Sequence, residues 1–112
     1  MTKTNDQRGL FPGALEMMIL RMLQRQPLHG YALTQQIKSA SSDLLQIEEG
    51  SLYPALQRLE LQGLVESEWR RTEENRRAKY YKLTVIGQAR LASETRHWRR
   101  FALAVELVLQ QG

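Results

Sequence analysis

The sequence has no cysteine, only two histidines and only three prolines among its 112 residues. The missing thiols exclude a disulfide framework and any cysteine-ligated metal site. Their absence also fits a reducing cytosol. A transition-metal site built on two histidines would need carboxylates in support, and none is expected. No apolar run is long enough to span a bilayer. Met1 to Arg8 is polar and lacks the apolar stretch of a signal peptide. The expected location is therefore cytoplasmic, with no membrane as a partner. There is no glycine-rich phosphate loop, paired-carboxylate motif or nucleophile motif, so neither an enzyme nor a cofactor is expected. The acidic pairs Glu48–Glu49 and Glu73–Glu74 fall in predicted loops, where solvated acids are the default.

What is present suits one compact domain. Hydrophobic residues make up 42% and charged residues 25%, ordinary values for a globular chain of this length. A net charge of +4 makes a polyanion a plausible partner without demanding one, so the placement of charge matters more than its sum.

Apolar residues Leu15, Met18, Ile19, Met22 and Leu23 recur at helical spacing between Pro12 and Gln24. Pro12 suits a first helical turn and Pro27 ends the segment. A second helix is predicted from about 30 to 40, with His29 capping or bracing it. A third begins near Ser51, a capping residue, because Pro54 is tolerated only in a first turn. Gly63 is its natural left-handed stop. At 100° per residue, Leu52, Leu56 and Leu59 fall on one side. Tyr53, Pro54, Gln57, Arg58 and Leu61 fall on the other.

Two strands follow, "VESEWR" and "AKYYKL". Pairing Val65 with Leu83 and Ser67 with Tyr81 puts both apolar sets on one face of a hairpin. Tyr81 then faces the core, Tyr80 lies outside with Lys82, and Trp69 packs on the hairpin, stacked against Lys79. The loop from Arg71 to Arg77 is too polar to be buried. Thr84 caps a last helix from about 85 to 110. Along it Leu91, Trp98 and Val105 recur every seven residues, with Phe101 and Val108 between, a stripe that seeks a partner helix.

The expected fold is mainly α with a small two-stranded β-hairpin: a winged helix-turn-helix with a long C-terminal helix. Residues 1–9 form a flexible arm, 10–84 the winged domain and 85–112 the terminal dimerisation helix. In this plan the third helix enters the major groove of double-stranded DNA and the wing touches the backbone or minor groove. Ser51, Tyr53, Pro54, Gln57 and Arg58 form the candidate reading face, with Arg76, Arg77 and Lys79 on the wing. Gln57 suits base readout, and Tyr53 suits a phosphate near the free amides of the helix start. Arg58 can do either. The alternatives are a winged helix that binds protein and a regulator that reads RNA. A DNA reader loses affinity steeply with salt and prefers an inverted repeat, whereas a protein-binding module does neither.

The stretches "PLHGYALTQQI", "EEGSLYPALQRLELQGLV" and "NRRAKYYKLTVIGQARL" resemble the PadR family of transcriptional regulators. The likeness runs from about Gly13 to Leu91. It rests on a Gly-Tyr pair, a Gly-Ser-Leu-Tyr-Pro-x-Leu run, and an arginine followed by tyrosine and Leu-Thr-x-x-Gly. The short C-terminal region is similar to the compact subgroup, whose single terminal helix builds the dimer. The resemblance implies a homodimeric repressor, with Tyr53, Pro54 and Arg58 at the DNA surface and Arg76 and Arg77 on the wing. In some compact members facing aromatic side chains sandwich flat apolar compounds between subunits. That would make Trp98 part of an effector pocket; plain interface packing is the other reading.

Overall fold

The computed structural model describes residues 13–112. The arm expected over residues 1–9 and the Pro12 start of the first helix lie outside them. Helix α1 (Ala14–Arg25) follows Gly13, whose φ of 83° is left-handed and favours glycine. It ends at Gln26, just ahead of Pro27. Leu15, Ile19, Leu20 and Leu23 are buried, and Met18 and Met22 pack partly against them. The buried face is wider than one stripe because α1 lies at the centre of the fold, touching α2, α3, α4 and the sheet.

The expected two-stranded hairpin is corrected to a three-stranded antiparallel sheet in the order β1-β3-β2. Strand β1 (Leu28–His29) pairs Leu28 with Tyr81 and His29 with Tyr80 on β3. Two residues carry no readable alternation, so only their distant partner reveals them as a strand. His29 then caps helix α2 (Gly30–Ala40), its Nδ1 accepting the Ala32 amide at 3.3 Å.

Helix α3 (Glu49–Leu61) begins two residues earlier than expected, and Ser51 is not its cap. The Glu48 carbonyl accepts the amides of both Ser51 and Leu52 at 3.0 Å. Pro54 is thereby inside the helix and deprives the Gly50 carbonyl of its donor four residues on. Gly50 is exposed, so water can take that place and the cost is small. Leu52, Leu56 and Leu59 are buried, as their spacing predicts. The helix closes in a Schellman turn: Gly63, at φ 74°, donates to the Glu60 carbonyl and Leu64 to that of Leu59, both at 3.0 Å.

Strands β2 (Val65–Arg71) and β3 (Arg77–Leu83) pair in the expected register, Val65 opposite Leu83 and Ser67 opposite Tyr81. Tyr81 is buried in the core. The last helix, α4 (Val85–Leu109), is capped by Thr84, whose hydroxyl accepts the Gly87 amide at 2.9 Å and donates to the Gly63 carbonyl at 2.7 Å. The Thr84 amide also reaches the Leu64 carbonyl at 3.1 Å. Leu91, expected on the dimer stripe, instead lies 4% exposed in the subunit's own core. A seven-residue period cannot distinguish an inward stripe from a partner-facing one, and here the first turns of α4 face inward. From Arg99 onward α4 is exposed throughout.

A methyl at Gly87 would run into the Leu64 carbonyl and the Leu83 side chain, whereas one at Gly50 meets nothing. Helix propensity alone favours alanine at both sites. Gly50→Ala is expected to raise stability by up to about 1 kcal/mol, and Gly87→Ala to lower it by about 2 kcal/mol or more. Urea denaturation measures both. Equal stability of Gly87→Ala and the parent would remove the close approach as a constraint.

Candidate nucleic-acid interface

A cleft of about 1170 Å³ runs between the wing and the start of α2, with Tyr53 of α3 at its wall. Of the candidate residues it brings together Tyr53, Arg76, Arg77 and Lys79. It adds His29, Tyr31, Gln35 and Trp69, which the sequence pattern does not assign to the site. Ser51, Pro54, Gln57 and Arg58 do not line it. Pro54 and Gln57 are exposed on α3 beside the cleft, and Ser51 is partly buried as a third-position helical residue.

Tyr53 is placed by Gly30. A methyl on Gly30 would come to 2.5 Å from the Tyr53 phenolic oxygen, so Gly30 leaves the room in which the Tyr53 ring of α3 sits. Burial first, then the Glu49 carboxylate and Tyr81, push the Tyr53 hydroxyl above its ordinary pKa. Burial and Glu60 do the same to Tyr81. Both phenols, neutral at physiological pH like any tyrosine, therefore stay protonated to higher pH than usual.

The wing narrows to a turn in which the Asn75 amide donates to the Thr72 carbonyl at 2.9 Å and the Thr72 amide to that of Arg76 at 2.7 Å. Asn75 takes the left-handed position at φ 65°, a conformation asparagine tolerates. The apex itself carries Glu73 and Glu74, so the positive charge flanks the tip instead of capping it. Arg77 begins β3 and is not in the loop. Its guanidinium lies over the Trp69 ring, 4.9 Å from the centroid. This corrects the expected stack of Trp69 on Lys79. Lys79 is opposite Trp69 in register, but its ammonium sits over the Tyr81 ring at 5.7 Å and 3.7 Å from Glu60.

Most cations near the cleft already have partners. Arg58 donates from Nε at 3.0 Å and from a terminal nitrogen at 2.7 Å to one Glu16 oxygen, bracing α3 against α1. Arg70 meets Glu68 at 2.6 Å and lies over Tyr80 at 5.1 Å. Lys82 is 3.9 Å from Glu66. Among the described residues, no carboxylate pairs with Arg76 or Arg77. Exposed pairs are worth at most about 1 kcal/mol, so a phosphate can displace such a partner, but the two unpaired arginines need no displacement. No local pattern announces Glu16, which lies 42 residues from Arg58.

At the other end of the molecule, Trp98 and Phe101 stand 6.4 Å apart between ring centroids. With Gly13, Ala14 and Met17 of α1, and with Glu94 and His97, they line a pocket of about 230 Å³. Phe101, Val105 and Val108 are exposed along α4. No helix among the described residues is long and apolar enough to cross a membrane.

Residues 19–93 match the model of the transcriptional regulator PadR-like family. A transcriptional regulator of Mycobacterium tuberculosis is 34% identical over 92 residues, covering 82% of each chain. A PadR family transcriptional regulator from Eggerthella lenta superposes with a TM-score of 0.76 at 34% identity, covering 89% of this chain and 85% of that one. A PadR-like transcriptional regulator from Bacillus cereus gives a TM-score of 0.76 at 27% identity, over 89% and 95% of the two chains.

The raised tyrosine pKa values have a measurable consequence. A folded pKa above the unfolded one contributes stability that is present below about pH 10 and lost as pH rises through the folded pKa. Phenolate absorbance during alkaline titration should therefore show Tyr53 and Tyr81 ionising late. Tyr53→Phe should remove one late-titrating phenol. If the phenol lost in that variant is one that ionises at the ordinary tyrosine value, the Tyr53 hydroxyl is not in the environment described.

Proposed function

The chain belongs to the PadR-like family of transcriptional regulators, which are not enzymes, and on that premise we propose that it is a cytoplasmic repressor binding an inverted-repeat operator in double-stranded DNA as a homodimer. Residues 10–84 form the DNA-binding unit and 85–112 the dimerisation helix. The observation that carries this reading is that two arginines with no carboxylate partner among the described residues, Arg76 and Arg77, share one cleft with Tyr53 of α3, the helix whose Pro54 and Gln57 are exposed just outside it. In the proposed complex α3 enters the major groove. Gln57 reads a base edge, and Tyr53, Ser51 and Pro54 lie against the backbone beside it. Arg76, Arg77 and Lys79 meet phosphates. Arg58 serves first as the brace to Glu16 and reaches DNA only by exchanging that carboxylate for a phosphate.

The homodimer is supported by the far half of α4. Phe101, Val105 and Val108 follow Trp98 at three, seven and ten residues, one continuous exposed apolar stripe. Leu91 takes no part, being enclosed in its own subunit. Two such helices would set the paired α3 helices about one duplex turn apart, roughly 34 Å. The apolar pocket at Trp98 and Phe101 supports a small flat apolar or aromatic effector held where α1 meets α4.

Two measurements test this reading. Arg76→Ala and Arg77→Ala should each weaken binding to all duplex sequences similarly, and should lower the salt slope by about one for each phosphate no longer neutralised. Gln57→Ala should instead relax preference at one position in each half-site, at about 1–3 kcal/mol for each base read. Titrations against single-base operator variants separate the two effects, and an unaltered profile in all three variants would reject the interface. For assembly, light scattering should find a dimer at micromolar concentration. Val105→Glu should shift it toward monomer by burying a carboxylate without a partner.

A further inference from the structure

Trp69 is 58% exposed, so core packing does not account for it. The strand register puts Trp69 on the same face of the wing as Lys79 and, two residues nearer the tip, Arg77. The Arg77 guanidinium lies over the indole, 4.9 Å from its centroid, and both residues line the cleft. Of the other strand cations, Arg70, Lys79 and Lys82 each have a carboxylate within ion-pair distance, and Arg71, opposite Arg77, donates to the Asn75 carbonyl at 3.1 Å. Arg77 has a ring instead, and among the described residues no carboxylate. An aromatic face orders a guanidinium without using any of its five N–H donors, which all lie in the guanidinium plane. It also leaves the full positive charge uncompensated. A carboxylate would order the side chain equally well but would cancel the charge and occupy the donors.

We propose that Trp69 is a positioning residue for nucleic-acid binding: its indole holds the Arg77 guanidinium in place at the cleft, so that a backbone phosphate meets an ordered and unpaired cation. This rests on the DNA-binding function proposed above. Ordering the side chain before binding removes part of the entropy cost of immobilising it in the complex. Arg76, on the turn and without a ring, is the natural comparison within the same wing.

The test uses the full chain and a short mixed-sequence DNA duplex, titrated at several salt concentrations with Trp69→Leu, Trp69→Phe, Arg77→Ala and the Trp69→Leu/Arg77→Ala double variant. Trp69→Leu should weaken binding roughly two- to fivefold, the scale of an exposed cation–ring interaction. Its salt slope should stay at the parent's value, because no charge is removed. Trp69→Phe should restore most of the affinity. In the Arg77→Ala background, Trp69→Leu should have no further effect. Three results overturn the inference while leaving the DNA-binding function standing: Trp69→Leu binding like the parent, an equal loss persisting without Arg77, or the same loss in Trp69→Phe as in Trp69→Leu. A parent chain with no salt-dependent DNA binding would overturn the function, and this inference with it. Circular dichroism of each variant checks that the fold is retained.

Discussion

Thr84 fastens three parts of the chain within a single turn. Its hydroxyl bridges the Gly63 carbonyl and the Gly87 amide, and its own amide takes the Leu64 carbonyl. The end of α3, the start of β2, the end of β3 and the root of α4 are therefore fixed to one another. Gly87 makes the arrangement possible, since a side chain there would collide with the Leu64 carbonyl. Both ends of the hairpin are anchored at this point, which leaves the tip as the only free end. The wing can present charge away from the body because its base cannot move relative to α3. The angle at which α4 departs follows from the same junction.

Charge on this protein is organised by partner more than by number. The net charge of +4 is modest. Most cations around the cleft are engaged with carboxylates on their own or a neighbouring element, and the apex of the wing is acidic. What remains is a small set of arginines beside the tip whose charge nothing in the described structure offsets. Around the cleft, this pairing leaves the uncompensated positive charge beside the tip of the wing. The stacked rings beneath Arg70, Arg77 and Lys79 add order without adding opposing charge.

Helix α1 belongs to both ends of the molecule. Glu16 holds Arg58 on α3, while the adjacent Met17, with Ala14, lines the pocket closed by Trp98 and Phe101 of α4. The helix is buried along much of its surface, and packed interiors transmit displacements instead of absorbing them. Helix α3 and the apolar pocket are therefore neighbours through one rigid element, despite lying on separate parts of the surface.

The residues along the chain determined the elements that depend on near neighbours. Spacing of 3.6 marked the helices. Alternation fixed the hairpin register, because a slip of one residue would have turned Val65 and Tyr81 to solvent. Thr84 and Gly63 marked a start and a stop through local hydrogen bonding. Family motifs made the winged-helix plan legible over much of the chain. Tertiary structure alone decided the rest. β1 is too short to carry a period and exists only by pairing with β3. The start of α3 moved past Ser51 because the cost of Pro54 inside the helix fell on an exposed carbonyl. Leu91 has the same seven-residue spacing as the outer stripe and yet faces inward. Arg58, Lys79 and Arg77 are alike as cations in the sequence, but one braces a helix, one is paired and one lies free on a ring. Those differences arise from which side chains the fold brings within a few ångströms, and contacts between residues far apart in the chain leave no local pattern to read.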